Sequence, residues 1–133
     1  MSTKPAADQL VEQYVLGDPA GFVAAFRPDA LVDINMPKWR YQRRPDALLA
    51  ELKAVCALPE RRVTIGYHEP TADGAVVELV TEATVDGEPR MIREAWLIRT
   101  GGELVTALTI YCTAMWEAAD IARNRAEEPL PRP

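Results

Sequence analysis

The sequence predicts an α+β fold in which a run of helices comes before an antiparallel sheet. Apolar side chains recur at helical spacing in much of the first half, whereas the alternation typical of strands dominates from residue 61 onward. The dipeptides Asp86-Gly87 and Gly101-Gly102 separate these strands and are typical of two-residue hairpin turns. Helices followed by strands favour a layer of helices that covers one face of a curved sheet.

Two helices are predicted before residue 30. The first, at residues 9–16, carries its apolar side chains on one stripe and ends at Gly17. The second opens at Asp18, a good N-cap residue followed by a proline, and ends at Pro28.

A third predicted helix begins at Pro45, carries an apolar face and ends at Pro59. Strands are predicted at residues 30–35, 38–42, 61–69, 75–85, 90–99 and 103–116, with a weaker helix at 117–126. We expect a flexible tail at residues 1–6, a single domain at 7–126 and a flexible, proline-rich tail at 127–133.

Length and charge exclude several function classes. The chain has 133 residues, which suits one domain with one core. Its net charge of −5, without a basic stripe, predicts that it binds neither nucleic acid nor a membrane surface. No apolar run approaches the roughly 18 to 20 residues of a membrane helix. Because the N-terminus also lacks the apolar stretch of a signal peptide, we expect a cytoplasmic protein.

Metal and cofactor chemistry has little support in the sequence. His68 is the only histidine, no Cys or His pair has ligand spacing, and no phosphate-binding glycine loop occurs. Cys56 and Cys112 are isolated, and we expect both to be reduced core cysteines. The sequence therefore predicts no metal and no organic cofactor, so that carboxylates, tyrosines and other polar side chains would carry any chemistry.

The two hairpin turns predict the register of the last three strands. Counting from the first turn sets Ala83 opposite Arg90 and Leu79 opposite Glu94, and counting from the second sets Glu94 opposite Thr109. Directly opposed residues share a face. The face toward the helices is then predicted to carry Val77, Leu79, Thr81, Ala83, Ile92, Glu94, Trp96, Ile98, Val105, Ala107, Thr109 and Tyr111. The other face has mixed charges, and its apolar residues on the last strand, Leu104, Leu108 and Ile110, predict a homodimer through the sheet.

Glu94 is the only carboxylate in the middle of this predicted apolar face. A carboxylate in such a place needs hydrogen-bond donors or has a raised pKa, and either state suits a general acid or base. The alternative is a buried group that Thr81 and Thr109 satisfy and that has no chemical role.

Further polar and aromatic residues are candidates for the same site. Asp33 and Asn35 lie two apart on one predicted strand, so they share a face and would supply a second polar pole. Trp39 and Tyr41 would shape the mouth of a pocket for an apolar or aromatic molecule, and Tyr14 on the first helix would reach inward with its hydroxyl. The alternatives are a strand-end loop position for Asp33, plain core packing for Trp39 and Tyr41, and a buried hydroxyl bonded to the backbone for Tyr14.

The chain resembles the NTF2-like superfamily, and especially its SnoaL-like branch. The matching features are the paired N-terminal helices, the segments "ALVDIN" and "WRYQ", the hairpins at "VDGEP" and "RTGGELV", and the ending "TIYCTAMWE". This resemblance implies a cone-shaped fold, in which a strongly curved, mostly antiparallel sheet carries about three helices on its concave face.

The resemblance also implies a cofactor-independent enzyme that acts on a small apolar or aromatic molecule, with natural-product biosynthesis as a setting. The implied reactions are cyclisation, isomerisation, dehydration and epoxide opening. The predicted catalytic residues are Glu94, Asp33 and Tyr111, and the predicted substrate-binding residues are Tyr14, Asn35, Trp39, Thr81, Trp96 and Thr109. The alternative is a non-catalytic domain that binds a ligand or dimerises.

Two known mechanisms of the superfamily are not reproduced. Ile34, not Asp33, matches the position of the catalytic aspartate of ketosteroid isomerases. Arg93 is followed directly by Glu94, which excludes the same-face spacing that the triad of limonene-type epoxide hydrolases needs.

Overall fold

The computed structural model describes residues 4–128 and residue 130. This part of the chain forms one six-stranded mixed sheet and four α-helices, with a short 3₁₀ helix (Pro45–Leu48) ahead of α3. The helices are α1 (Ala6–Leu16), α2 (Pro19–Ala24), α3 (Leu49–Cys56) and α4 (Ala118–Glu127). The strands are β1 (Phe26–Met36), β2 (Trp39–Arg43), β3 (Arg62–Thr71), β4 (Gly74–Val85), β5 (Glu88–Gly101) and β6 (Leu104–Cys112).

The sheet has the strand order β2-β1-β6-β5-β4-β3. Strands β3 to β6 form the predicted antiparallel meander, and β1 joins it by pairing parallel to β6. The predicted α+β class is confirmed, and the sheet stays open, with β2 and β3 at its edges. Helix α1 contacts β4, β5 and β6, so it covers one face of the meander.

The starts and ends of the first helices follow from local chemistry. Gly17 adopts a left-handed backbone with φ of 74° at the end of α1, and the Asp18 carboxylate caps α2 by accepting from the Gly21 amide at 2.9 Å. The predicted end of the second helix at Pro28 is wrong, because α2 ends at Ala24. Pro28 lies in β1 at an irregular stretch of the pairing with β6, where a proline removes no ladder hydrogen bond.

The predicted register is confirmed between β4 and β5 and wrong between β5 and β6. Leu79 lies opposite Glu94 as expected. At the second turn, Gly101 pairs with Leu104 and a β-bulge follows, so that Thr106 is unpaired and Arg99 lies opposite Ala107. One extra residue reverses the two faces of a strand. Glu94 therefore lies opposite Cys112, and β6 turns Leu108 and Ile110 toward the helices.

The sheet thus has an inner face toward the helices and an outer face away from them. The inner face carries Val32, Ile34, Val77, Leu79, Thr81, Ala83, Arg90, Ile92, Glu94, Trp96, Ile98, Leu108, Ile110 and Cys112. The outer face carries Asp33, Asn35, Glu78, Val80, Arg93, Ala95, Leu97, Arg99, Thr109 and Tyr111.

No helix of the described residues is long and apolar enough to cross a membrane. Parts of the two predicted tails, residues 1–3, 129 and 131–133, lie outside the described residues. The division into a domain and two tails stays a prediction.

Candidate active site

The inner face of the sheet and the helices above it enclose a cavity of about 220 Å³. Side chains of α1, α2, α3 and five strands contribute to its wall. Its apolar lining includes Phe22, Val32, Ile34, Met36, Leu48, Leu52, Val55, Leu58, Ile92, Trp96, Ile110 and Met115. Its polar or ionisable lining residues are Tyr14, Tyr41, Glu51, Thr81, Arg90, Glu94 and Cys112. A small number of polar groups in an apolar cavity is the usual composition of a small-molecule site.

Glu94 lies deep in this cavity, between Ile92 and Trp96 on the inner face of β5. Burial raises the pKa of its carboxyl to about 7. Among the described residues, no ion pair reaches this carboxyl. Glu94 is half-buried as a residue, and it lines the cavity. Thr81 and Thr109 do not satisfy it, since Thr81 bonds to Tyr14 and Thr109 lies on the outer face.

The indole of Trp96 is the polar neighbour of this carboxyl. Trp96 is almost completely buried, and its Nε1–H has no well-formed hydrogen bond with any described residue. The indole lowers the pKa of Glu94 and so opposes part of the effect of burial. A donor held beside a carboxyl favours the ionised form, so Trp96 would help Glu94 to release its proton.

Tyr14 and Thr81 form a polar pair near Glu94. The Tyr14 hydroxyl lies 3.3 Å from Thr81 Oγ1, and either group can donate the hydrogen bond. Burial, and then the charge of Glu94, raise the pKa of Tyr14, so the phenol is a neutral donor at ordinary pH. The ring packs edge-on against Trp96 with centroids 4.9 Å apart, and Arg61 lies over it at 4.8 Å. These contacts fix the direction in which the hydroxyl points.

The predicted places of Thr109 and Tyr111 are wrong. Both residues lie on the outer face, and Tyr111 is 53% exposed. The cause is the bulge at Thr106, which turns the odd-numbered residues from Ala107 to Tyr111 away from the helices. Cys112 takes the place opposite Glu94 that was expected for Thr109.

Asp33 and Asn35 also lie on the outer face, so the predicted second polar pole is absent from the cavity lining. Both pair with residues of β6 that point outward, while Val32 and Ile34 point inward. Arg40 binds the Asp33 carboxylate through Nε at 2.9 Å and Nη2 at 2.7 Å, and these bonds lower its pKa. Asn35 donates to the carbonyl of Ile110 at 3.3 Å.

Trp39 is not part of the cavity wall either. It is 70% exposed at the start of β2, whereas Tyr41, two residues later, lines the cavity. Burial, and then the charge of Glu51, raise the pKa of Tyr41. Of the nine predicted site residues, the cavity therefore contains Glu94, Tyr14, Thr81 and Trp96.

Three polar or ionisable lining residues were not predicted from the sequence: Glu51, Arg90 and Cys112. Arg90 could have been found, because the confirmed register sets it opposite the inward-facing Ala83. Cys112 could not, because its face depends on the bulge. Burial is the largest influence on the Cys112 thiol and raises its pKa. The charge of Glu94 has a smaller effect in the same direction.

The described residues contain no group of three or more His, Cys, Asp and Glu side chains that could hold a metal ion. His68 pairs with Asp8 at 3.0 Å and does not line the cavity. The ionisable groups that the cavity offers are therefore carboxyls, phenols, a thiol and one guanidinium.

Comparison with known proteins agrees with this architecture. No family model and no curated protein matches the sequence. A Δ5-3-ketosteroid isomerase from Mycobacterium sp. is similar in structure, with a TM-score of 0.66, 25% identity, and coverage of 85% of this chain and 95% of that one.

Two further solved structures are similar. An epoxide hydrolase from Mycobacterium tuberculosis has a TM-score of 0.65 at 13% identity, covering 89% of this chain and 84% of that one. A hypothetical protein from Catenulispora acidiphila, solved in complex with trimethylamine, has a TM-score of 0.65 at 18% identity, covering 98% of this chain and 97% of that one. The fold is therefore the ketosteroid isomerase-like fold. The chain has the NTF2-like fold, as its sequence features predicted.

Proposed function

We propose that the chain is a cofactor-independent, SnoaL-like enzyme in which Glu94 moves protons to and from a small, mainly apolar molecule. The observation that carries the proposal is a carboxyl with a pKa of about 7, without an ion pair among the described residues, inside an apolar cavity. A general acid or base works best when its pKa is near the working pH.

Isomerisation or cyclisation through an enolate suits this site better than epoxide opening. Glu94 would take a proton from a carbon next to a carbonyl, and the Tyr14 hydroxyl would donate a hydrogen bond to the oxygen on which charge develops. Thr81 would donate to the Tyr14 oxygen and hold it in that orientation. Epoxide opening would need a second acid beside Glu94. Asp33, the expected second acid, lies on the outer face.

Similar proteins support the general class of this proposal. One is an isomerase, one is an epoxide hydrolase, and one was solved with a small ligand bound. A cavity of about 220 Å³ is smaller than the roughly 300–1,000 Å³ of drug-sized sites, so the substrate would be small. A cytoplasmic role in natural-product biosynthesis is part of the same proposal.

Proton transfer can be tested before the natural substrate is identified. The probe is the β,γ-unsaturated isomer of cyclohexenone in heavy water, with NMR to follow both deuterium uptake and conversion to the conjugated ketone. We expect Glu94→Gln to slow both by about 100-fold or more. Glu78→Gln is the matched control, since Glu78 lies on the adjacent strand but on the outer face. Equal rates for the wild type and Glu94→Gln would refute a catalytic carboxyl.

A second candidate is a non-catalytic domain that binds a small ligand. It is favoured by one observation: Asp33 and Asn35, the expected second polar pole, face away from the cavity. In that case the wild type would bind the probe ketone, as seen in chemical-shift changes, without catalysing deuterium uptake.

We also propose that the chain forms a homodimer through the outer face. The expected contact at Leu108 is wrong, because that side chain is fully buried. Leu97 is 43% exposed and Tyr111 is 53% exposed, and their strands are adjacent, so they form an apolar patch on this face. Sedimentation velocity should show a dimer that Leu97→Glu converts to a monomer. A wild-type monomer, or an unchanged dimer of the variant, would exclude this interface.

A further inference from the structure

Arg90 is a guanidinium in the wall of the apolar cavity, and the mechanism proposed above does not use it. It lies on the inner face of β5, opposite Ala83 and four residues before Glu94. At roughly 3.3 Å per residue along a strand, the two backbone positions are about 13 Å apart. The positive group and the proton-transfer group thus line the same cavity at separate points.

The described residues satisfy only part of the Arg90 guanidinium, through one hydrogen bond and one long ion pair. Its side chain is only 18% exposed, yet its recorded hydrogen bond goes to the carbonyl of the preceding Pro89, at 3.3 Å. Glu88 forms a long ion pair with Nη1 at 3.8 Å, and the Glu88 side chain is 62% exposed, so a ligand can displace it. A guanidinium offers five N–H donors in a planar fork. Most of these N–H donors of Arg90 have no acceptor among the described residues.

The place of Arg90 suits the end of a ligand. It lines the cavity and also the neighbouring groove beside α4, so it lies where the cavity meets the surface. A charged end group would keep contact with water there, while an apolar body would extend inward toward Glu94 and Trp96. Carboxylates match the guanidinium fork with two parallel hydrogen bonds.

The carboxyls of the cavity do not oppose this arrangement strongly. Glu51 reaches the cavity from α3 and is exposed to solvent, and its charge, after burial, raises the pKa of Tyr41 of β2. Glu94 lies four residues further along β5. Neither forms an ion pair with Arg90.

We infer that the cavity takes a small amphipathic carboxylic acid, whose carboxylate binds Arg90 and whose apolar part extends to Glu94. The inference deepens the proposed function, on which it rests for the chemistry, by naming the substrate class. Arg90 would be a binding residue that sets which end of the molecule enters first. A neutral apolar molecule of the same size would bind less tightly and in more than one direction.

The test compares two probes with the same carbon chain, octanoate with its charged carboxylate and octanamide with its neutral amide, by isothermal titration calorimetry. Arg90→Gln removes the guanidinium, and Arg99→Gln is the matched control, because Arg99 lies on the outer face of the same strand. We expect the wild type and Arg99→Gln to bind octanoate about 10-fold or more tighter than octanamide. In Arg90→Gln the two affinities should become equal.

Several results would overturn the inference: no octanoate binding by the wild type, equal affinities for both probes, or a preference that survives in Arg90→Gln. If Arg90→Gln fails to fold, Arg90→Lys replaces it. Lysine keeps the charge without the fork, and the preference should then fall but not vanish. Because the readout is binding, an inactive Glu94 would leave the octanoate preference intact. Conversely, failure of this inference would leave turnover of the neutral ketone unchanged.

Discussion

Two carboxylates on opposite faces of one sheet show how this fold divides its chemistry. Asp33 on β1 and Glu94 on β5 lie on the two strands that flank β6. Asp33 faces outward, where Arg40 binds both of its oxygens and lowers its pKa. Glu94 faces inward, where burial raises its pKa to about 7. The same functional group thus has a lowered pKa on one face and a pKa near neutrality on the other.

The difference comes from the surroundings of each face. On the outer face, charges meet partners of opposite sign in contact with water, as with Arg93 and Glu78 at 3.6 Å. Such exposed pairs contribute little to stability. On the inner face, a carboxyl lies among apolar side chains, and its neutral form is favoured because the ionised form is poorly solvated. The carboxyl with a pKa near neutrality is therefore the one on the inner face.

The largest expected effect tests which residues of β6 lie on the inner face of the sheet. Leu108→Glu should lower the free energy of unfolding by about 4 kcal/mol or more, because Leu108 is fully buried and the new charge would have no partner. Leu104→Glu is the matched control on the same strand, at a residue 36% exposed, and should cost about 1 kcal/mol or less. Urea denaturation measures both. Two well-folded variants of similar stability would mean that the bulge at Thr106 is misplaced.

A smaller effect concerns the pH dependence of stability. Because the pKa of Glu94 is raised by folding, from 4.5 to about 7, the folded state binds the proton more tightly than the unfolded state does. Its contribution to stability is full below the unfolded pKa and is lost as pH rises through about 7. We expect the loss across this range to be about 2–3 kcal/mol in the wild type.

The control for this effect is Glu94→Gln, which cannot titrate. Subtracting its curve of unfolding free energy against pH removes the contributions of other groups. The difference should decline between about pH 4.5 and 7 and be flat above. A difference that rises with pH would show that Glu94 is held as an anion, and the comparison with Asp33 would then fail.

Much of the fold could be predicted from local patterns. The cap at Asp18, the left-handed glycine at 17 and the hairpin at Asp86-Gly87 depend on residues close in sequence. The register between β4 and β5 followed from that hairpin, and it placed Glu94 and Trp96 on the inner face. Short-range signals were enough wherever a single tight turn joined two regular strands.

The rest of the site depends on features that short-range patterns do not specify. A threonine at position 106 does not indicate a bulge. Because of this bulge, Ile110 lies on the inner face where Tyr111 was expected. The direction of Asp33 follows from the parallel pairing of β1 with β6, which are far apart in sequence. Its partner Arg40 lies across the β1–β2 hairpin, so the ion pair also depends on that register.

The smallest expected effect tests the outer carboxylate. In Arg40→Gln the pKa of Asp33 should rise toward its usual range, because the two charge-assisted hydrogen bonds are its largest stabilising influence. The stability that this pair contributes is present above the ordinary pKa of an aspartate and is lost as pH falls. Since the Arg40 side chain is 61% exposed, the change in overall stability should be too small to detect by urea denaturation. NMR titration of the carboxyl carbons measures Asp33 and Glu94 in one experiment. The pKa of Glu94 should stay the same in this variant, and a joint shift of both groups would show that the two faces are electrostatically coupled through the sheet.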